Sequence, residues 1–196
     1  MAKFFSNLNA VLAAGFVLLL AVALGFHSDA FDAQYGNYFF RYLHVLFGIM
    51  WIGLLYYFNF VQIPTMPKVP AELKPGVSKY IAPTALFWFR YAALLTVISG
   101  LSIAGMPGPN GPYIVQALTF QEGYRVIGLG MYMALIMAFN VWFVIWPNQK
   151  RALGLVEADA DTKAKSATTA MMFSRINTLL SIPMLYCMVT QFYLAR

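Results

Sequence analysis

Apolar residues in this chain fall into five runs, at about residues 8–26, 38–63, 85–105, 124–147 and 174–194, with proline, glycine and charge between them. Each run is near the ~20 residues that a helix needs to cross a bilayer core. The pattern predicts an all-α integral membrane bundle of five transmembrane helices, forming a single transmembrane domain over 1–196. The second run is not uniformly greasy. Arg41 to Gln62, RYLHVLFGIMWIGLLYYFNFVQ, sets an arginine, a histidine, an asparagine and a glutamine among apolar residues. At 100° per residue, Arg41, His44, Gly48, Trp51, Leu55, Asn59 and Gln62 lie within about 60° of one line down the helix, while Leu54, Phe58 and Val61 point elsewhere. Polar groups facing acyl chains cost several kcal/mol each, so this stripe must face other helices or a wet cavity. The other spans are expected to pack around it.

The connecting stretches alternate in charge. Lys3 precedes the first run, and the loop after it holds Asp29 and Asp32 with no lysine or arginine before Arg41. Pro64 to Pro83 carries Lys68, Lys74 and Lys79 against Glu72; Met106 to Gly123 carries only Glu122; the last loop has Lys150, Arg151, Lys163 and Lys165. Basic loops mark the cytoplasmic side, which predicts a cytoplasmic N-terminus and an outside C-terminus. The prolines 64, 67, 70, 75 and 83 predict a stiff, extended first cytoplasmic loop. MPGPNGPY at 106–113 reads as a turn, residues 113–121 as a short surface helix, and 154–173 as a polar helix leading into the last span. Glu122 and Arg125 are expected to cap a helix start as an ion pair.

Composition narrows the class. Of 196 residues, 61% are hydrophobic and only 10% charged, too little charge for a soluble domain. The net charge of +6 is scattered between apolar segments, so it reads as a topology signal and not as a nucleic-acid surface. A single cysteine, Cys187, excludes an internal disulfide, a CxxCH haem attachment and a cysteine-only metal cluster. The first run is followed by His27-Ser28-Asp29 and shows no small-x-small site, so it reads as a span and not as a signal peptide. Gly130, Ala134 and Ala138, and Gly100 and Ala104, repeat at four-residue spacing, which lets helices approach closely within or between protomers.

Candidate chemistry lies at two depths. His44 is about two turns inside the outer boundary, and His27 ends the first span on the same side. Met188 and Gln191 on the fifth span, and Met131 and Met133 on the fourth, come to a similar depth. Histidine with methionine, or with a second histidine, is a ligand set for haem b or copper. The plainer reading is a hydrogen-bonded histidine among methionines that fill space. Nearer the cytoplasm, Asn59, Gln62, Arg90, Asn140, Asn148, Gln149, Arg175 and Asn177 form an inner polar cluster, and Asn177, Ser181, Met184, Met188 and Gln191 share one helix face. No acid lies in these spans at the depth of Arg90. Arg90 must therefore snorkel, bind amide and carbonyl oxygens, or hold an anion, and its nearness to the boundary favours snorkelling. Phe87, Trp88, Phe89, Tyr91, Trp142 and Trp146 read as an interfacial aromatic belt.

RYLHVLFGIMWIGLLYYFNF, LFWFRYAALLTVISGL, MAFNVWFVIWPNQKR and SRINTLLSIPMLYCMV resemble consecutive blocks of the membrane domain of bacterial membrane-bound urate oxidase (urate hydroxylase), the urate oxidase N-terminal family. NVWFVIWPNQK (140–150) and SRINTLLSIPM (174–184) carry most of the resemblance. LHVLFGIMWIG (43–53) is similar also to the copper-export D family and the haem-b protoporphyrinogen oxidases. The resemblance implies a membrane-bound oxidoreductase that passes electrons to a cytochrome c. As the chain has no CxxCH, that acceptor is expected to be a separate protein. By matched block, the family carries over His44, Trp51, Arg90, Asn140, Asn148, Gln149, Arg175 and Asn177, without assigning their roles. Three readings stay open: a haem- or copper-containing redox subunit with His44, His27 and Met188 at the cofactor; a non-catalytic subunit that homo-oligomerises or stabilises a larger respiratory or membrane complex; and a channel or carrier for an anion gated by Arg90.

Overall fold

A computed structural model describes residues 1–108 and 111–194. Five of its helices are long and apolar enough to cross a membrane: Leu8–Ala30, Gln34–Lys68, Lys74–Gly105, Arg125–Ala152 and Ala160–Gln191. No strand occurs among the described residues. The helices outrun the apolar stretches because hydropathy marks the bilayer, whereas caps and backbone hydrogen bonds mark the helix end. The fifth span shows this best. It is one helix, Ala160–Leu194, of 35 residues, roughly 52 Å at 1.5 Å per residue. Its first turns therefore stand clear of a bilayer core about 30 Å thick. Gly154, at φ +73°, closes the preceding helix, and Asp159 opens this one by accepting from the Thr162 backbone N–H and hydroxyl at 2.8 Å each.

The proline-rich connection is not extended. Ile63–Thr65, Met66–Lys68 and Lys74–Gly76 are helical turns, each with its proline in the first turn, where a missing N–H leaves nothing unpaired. Three π-helical turns, Tyr57–Gln62, Val77–Ile81 and Asn140–Ile145, each end two residues before a proline, namely Pro64, Pro83 and Pro147. A proline inside an α-helix clashes with the carbonyl four residues back, and widening the preceding turn relieves that clash. Phe58, expected to point away from the stripe, is buried edge-on against Phe89 with centroids 5.5 Å apart; on the 100° count it lies only about 20° from buried Trp51. Phe89 accordingly belongs to the core and not to the aromatic belt.

Spans two and three pair closely, as do four and five, and the two pairs meet around a core of Trp51, Leu55, Leu86, Phe89, Met137, Val141 and Ile145. The surface helix Ile114–Leu118 presses onto the start of the fourth span, where a Cβ on Gly128 would overlap the Ala117 carbonyl oxygen. The turn expected at 106–113 includes Pro109 and Asn110, which lie outside the described residues; beyond it, Tyr113 N–H donates to the Ala104 carbonyl at 2.8 Å. Arg125 forms no ion pair with Glu122 and donates instead to the Phe120 carbonyl at 3.3 Å. The close-approach glycines are used within the chain: Gly130 meets Cys187 and Met188, and Gly100 meets His44. The first span stands apart, with none of its residues buried.

The cap at Asp159 predicts a pH dependence. Its hydrogen bonds to Thr162 hold the carboxyl below the usual carboxylate range. The cap therefore contributes fully above the unfolded-state value and is lost as pH falls through the lower folded one. Amide exchange at Thr162 should quicken in that acid window, and Asp159→Asn should remove the pH dependence of this local opening.

Candidate functional site

Between the two helix pairs, toward the lysine-free end, lies an apolar cavity of about 520 Å³. His44, Thr96, Met131, Met184 and Met188 are among its walls, with Arg41 and Tyr113 the main polar groups beside them. It opens between spans two and five, where Ile49 and Val189 line it and are also exposed on the bundle surface. Those two spans are tied together lower down, where Tyr56 donates to the Ser181 hydroxyl at 3.0 Å while Ser181 donates to the Thr178 carbonyl at 2.7 Å.

His44 is held by the third span. Its Nδ1 is 2.9 Å from the Thr96 carbonyl and 3.3 Å from the Ser99 hydroxyl, which itself donates to the Leu95 carbonyl at 2.6 Å. A carbonyl only accepts, so Nδ1 carries the proton and, in the neutral ring, Nε2 keeps its lone pair. The ring fits because residue 100 is glycine: a Cβ there would come within 2.8 Å of His44 Cε1. A histidine anchored at Nδ1 to a backbone carbonyl, with Nε2 available, is the arrangement that orients metal-ligating imidazoles. Of the methionines expected near this depth, Met131 and Met188 line the cavity, joined by Met184, whereas Met133 packs into the core. His27 is exposed at the end of the first span and is not in the cavity wall. Gln191 serves packing instead: its Oε1 accepts from Ile127 N–H at 2.7 Å and its amide donates to the Gly123 carbonyl, completing the first turn of the fourth span. No group of three or more His, Cys, Asp or Glu gathers among the described residues.

The polar residues at the lysine-rich end divide into separate contacts, several of them on the π-turns. Asn59 donates to the Leu55 carbonyl at 2.9 Å and to the Ser174 hydroxyl at 2.8 Å. Asn140 donates to Asn177 Oδ1, and Asn177 donates to the Met137 carbonyl, both at 2.9 Å, which ties spans four and five together. Gln62 and Gln149 line a pocket of about 130 Å³ beside Ser174. Asn148 bonds only locally, to the Val144 carbonyl, and Arg175 is exposed, away from the others. Arg90 does not snorkel. It is 8% exposed, its guanidinium carbon is 3.4 Å from the centre of the Trp146 ring, and Nη1 has no hydrogen-bond partner. Placing an arginine at the centre of a membrane helix costs about 2.5–3.5 kcal/mol or more, and less toward the boundary where Arg90 lies. A desolvated cation–π contact returns about 2 kcal/mol. The unpaired N–H adds about 1–3 kcal/mol to the cost. Trp146 alone does not balance Arg90.

Sequence reasoning missed Thr96 and Ser99 as anchors of His44, and Asn37, which is buried and donates to the Ile103 carbonyl at 3.0 Å while accepting from Arg41. Two hydroxyl residues three apart, beside Gly100 on a span facing His44, are the signal that was present in the chain. These features define a multi-pass α-helical membrane protein with an apolar internal cavity and a single ring-anchored histidine. Residues 113–196 match the family model described as urate oxidase N-terminal. The matched stretch contains the 140–150 and 174–184 blocks, while the second and third spans lie before it. No curated protein and no solved structure matches the chain.

The Asn140–Asn177 contact predicts an uneven pair of mutants. Asn177→Ala strands the Asn140 amide and leaves the Met137 carbonyl only the Asn140 backbone N–H, and should cost roughly 2 kcal/mol of unfolding free energy in detergent. Asn140→Ala should cost less, and the double mutant little more than Asn177→Ala alone, because the two residues act as one unit.

Proposed function

We propose that the protein is the membrane part of a redox system, with haem b held in the His44 cavity and electrons passing to a separate cytochrome c. The observation that carries this reading is His44 itself: Nδ1–H is committed to the Thr96 carbonyl and Nε2 is left to ligate inside an apolar cavity. The residues present fit the group. About 520 Å³ lies within the ~300–1,000 Å³ range of cofactor sites. The walls suit an apolar macrocycle, and Arg41 and Tyr113 offer donors to a carboxylate edge. Met131, Met184 or Met188 would supply a second, sulfur ligand, as in His/Met haem proteins. Copper, the other candidate for His44, His27 and Met188, demands ligands converging on a point. A roomy cavity that does not include His27 suits it less. Bound haem would supply one-electron chemistry; the chain's part would be to orient it, exclude water and offer His44 and a methionine to hold it.

In the bacterial inner membrane that we infer, the charge of the connecting stretches favours the lysine-rich end in the cytoplasm, so that electrons leave from the opposite face. A second reading, a non-catalytic subunit of a larger complex or homo-oligomer, has one observation in its favour: the first span is bare on all sides.

Two measurements separate these. The purified protein should show a dithionite-reduced haem b spectrum that His44→Ala abolishes and Gly100→Val, which crowds the ring, weakens. Replacing Met131, Met184 and Met188 singly by leucine should shift the spectrum for one of them alone. A colourless, metal-free preparation would sink the redox reading. Native mass spectrometry in mild detergent tests the other, and a lone monomer would count against it.

A further inference from the structure

We propose that the lysine-rich end of the bundle binds a phosphate-type oxyanion, held by Arg90 and Lys150 beside the Trp146 ring. The site is separate from the His44 cavity and stands whether or not that cavity holds a haem.

Two cations share one indole. The Arg90 guanidinium carbon is 3.4 Å from the Trp146 ring centre, and Lys150 Nζ is 5.6 Å from the same centre. The ring face attracts each cation but accepts no hydrogen bond from the in-plane N–H groups of a stacked guanidinium. Arg90 Nη1, in a side chain more than nine-tenths buried, has no acceptor. One turn earlier on the fourth span, the buried Trp142 indole N–H has none either, and Trp142 packs edge-on at 5.7 Å against Tyr91, the neighbour of Arg90. Spans three and four contain no aspartate or glutamate. Two like charges and the unpaired Arg90 donor thus gather at Trp146 with no acid on either span, which favours an anion with several acceptor oxygens.

Protein acceptors do not fill the gap. The unpaired amide oxygens of Gln62 and Gln149 belong to residues lining the pocket beside Ser174, and Arg90 does not line that pocket. Depth selects the anion. Trp146 is one helical turn, about 6 Å, from Lys150, and Lys150 and Arg151 begin the basic end of the bundle. A phosphate at that level is either the phosphodiester of an anionic lipid or a soluble phosphate that enters from the basic face.

The test uses the full chain in phosphatidylcholine nanodiscs, read by thermal unfolding. One arm replaces part of the phosphatidylcholine by phosphatidylglycerol; the other adds inorganic phosphate against chloride at equal ionic strength. We expect a rise in Tm with at least one probe: phosphatidylglycerol alone identifies a lipid headgroup, and inorganic phosphate identifies a soluble anion. Lys150→Gln, at the polar end of its helix, should keep the unliganded Tm and weaken the responding probe roughly tenfold, the worth of one charged hydrogen bond. Arg90→Gln should abolish the response, and Arg90→Lys should recover only part of it, because an ammonium lacks the stacked planar fork. No response to either probe in the wild-type protein overturns the proposal. So does a response that Lys150→Gln leaves unchanged.

Discussion

A polar group inside hydrocarbon must find its hydrogen-bond partner within the protein, and this bundle is arranged by that constraint. The second span carries more polar side chains than a lipid-facing helix tolerates, and three of them reach a neighbouring span while the Gln62 amide oxygen does not. His44 reaches the Thr96 carbonyl, Tyr56 reaches Ser181, and Asn59 reaches Ser174. The fourth and fifth spans repeat the solution with Asn140 and Asn177. Lipid tails are as apolar as leucine, so burying leucine alone does not pull helices together in a membrane. Close packing at small residues and these few polar contacts choose which helices are neighbours.

The prolines connect this arrangement to the local backbone. Pro64, Pro83 and Pro147 each follow a widened π-turn, and two of those turns carry Asn59, Gln62 and Asn140. A turn that is not α-helical changes the direction of the side chains beyond it. The cost of a proline within a spanning helix is thereby turned into a reorientation of the polar cluster, at the end where Arg90 meets Trp146. The opposite half of the bundle has no such turns. There, helices leave an apolar cavity with His44 in its wall.

The two halves depend on different parts of the chain. The family match covers the fourth and fifth spans, which supply the methionines of the cavity and the Asn140–Asn177 contact. The second and third spans, outside that match, supply His44, its anchors Thr96 and Ser99, and Arg90. A cofactor at His44 would therefore join a histidine from one helix pair to a sulfur from the other.

The chain's hydropathy alone determined five spans, and its helical periodicity determined that Arg41 to Leu55 turns its polar stripe inward, because burial of polar groups in lipid is too costly to be overridden locally. The similar depth of His44, Met131 and Met188 was legible from the rise per residue, and all three line the cavity. The burial of Phe58 went unread, although it lies only about 20° from Trp51 on the 100° count. Arg90 was read as snorkelling because it lies near a boundary; only the fold could bring Trp146 over its guanidinium. Likewise, a glycine at 100 is silent until the third span is laid beside His44. Spacing along one helix follows from backbone geometry, but contacts between helices depend on rotation and depth, and those are decided when the bundle closes.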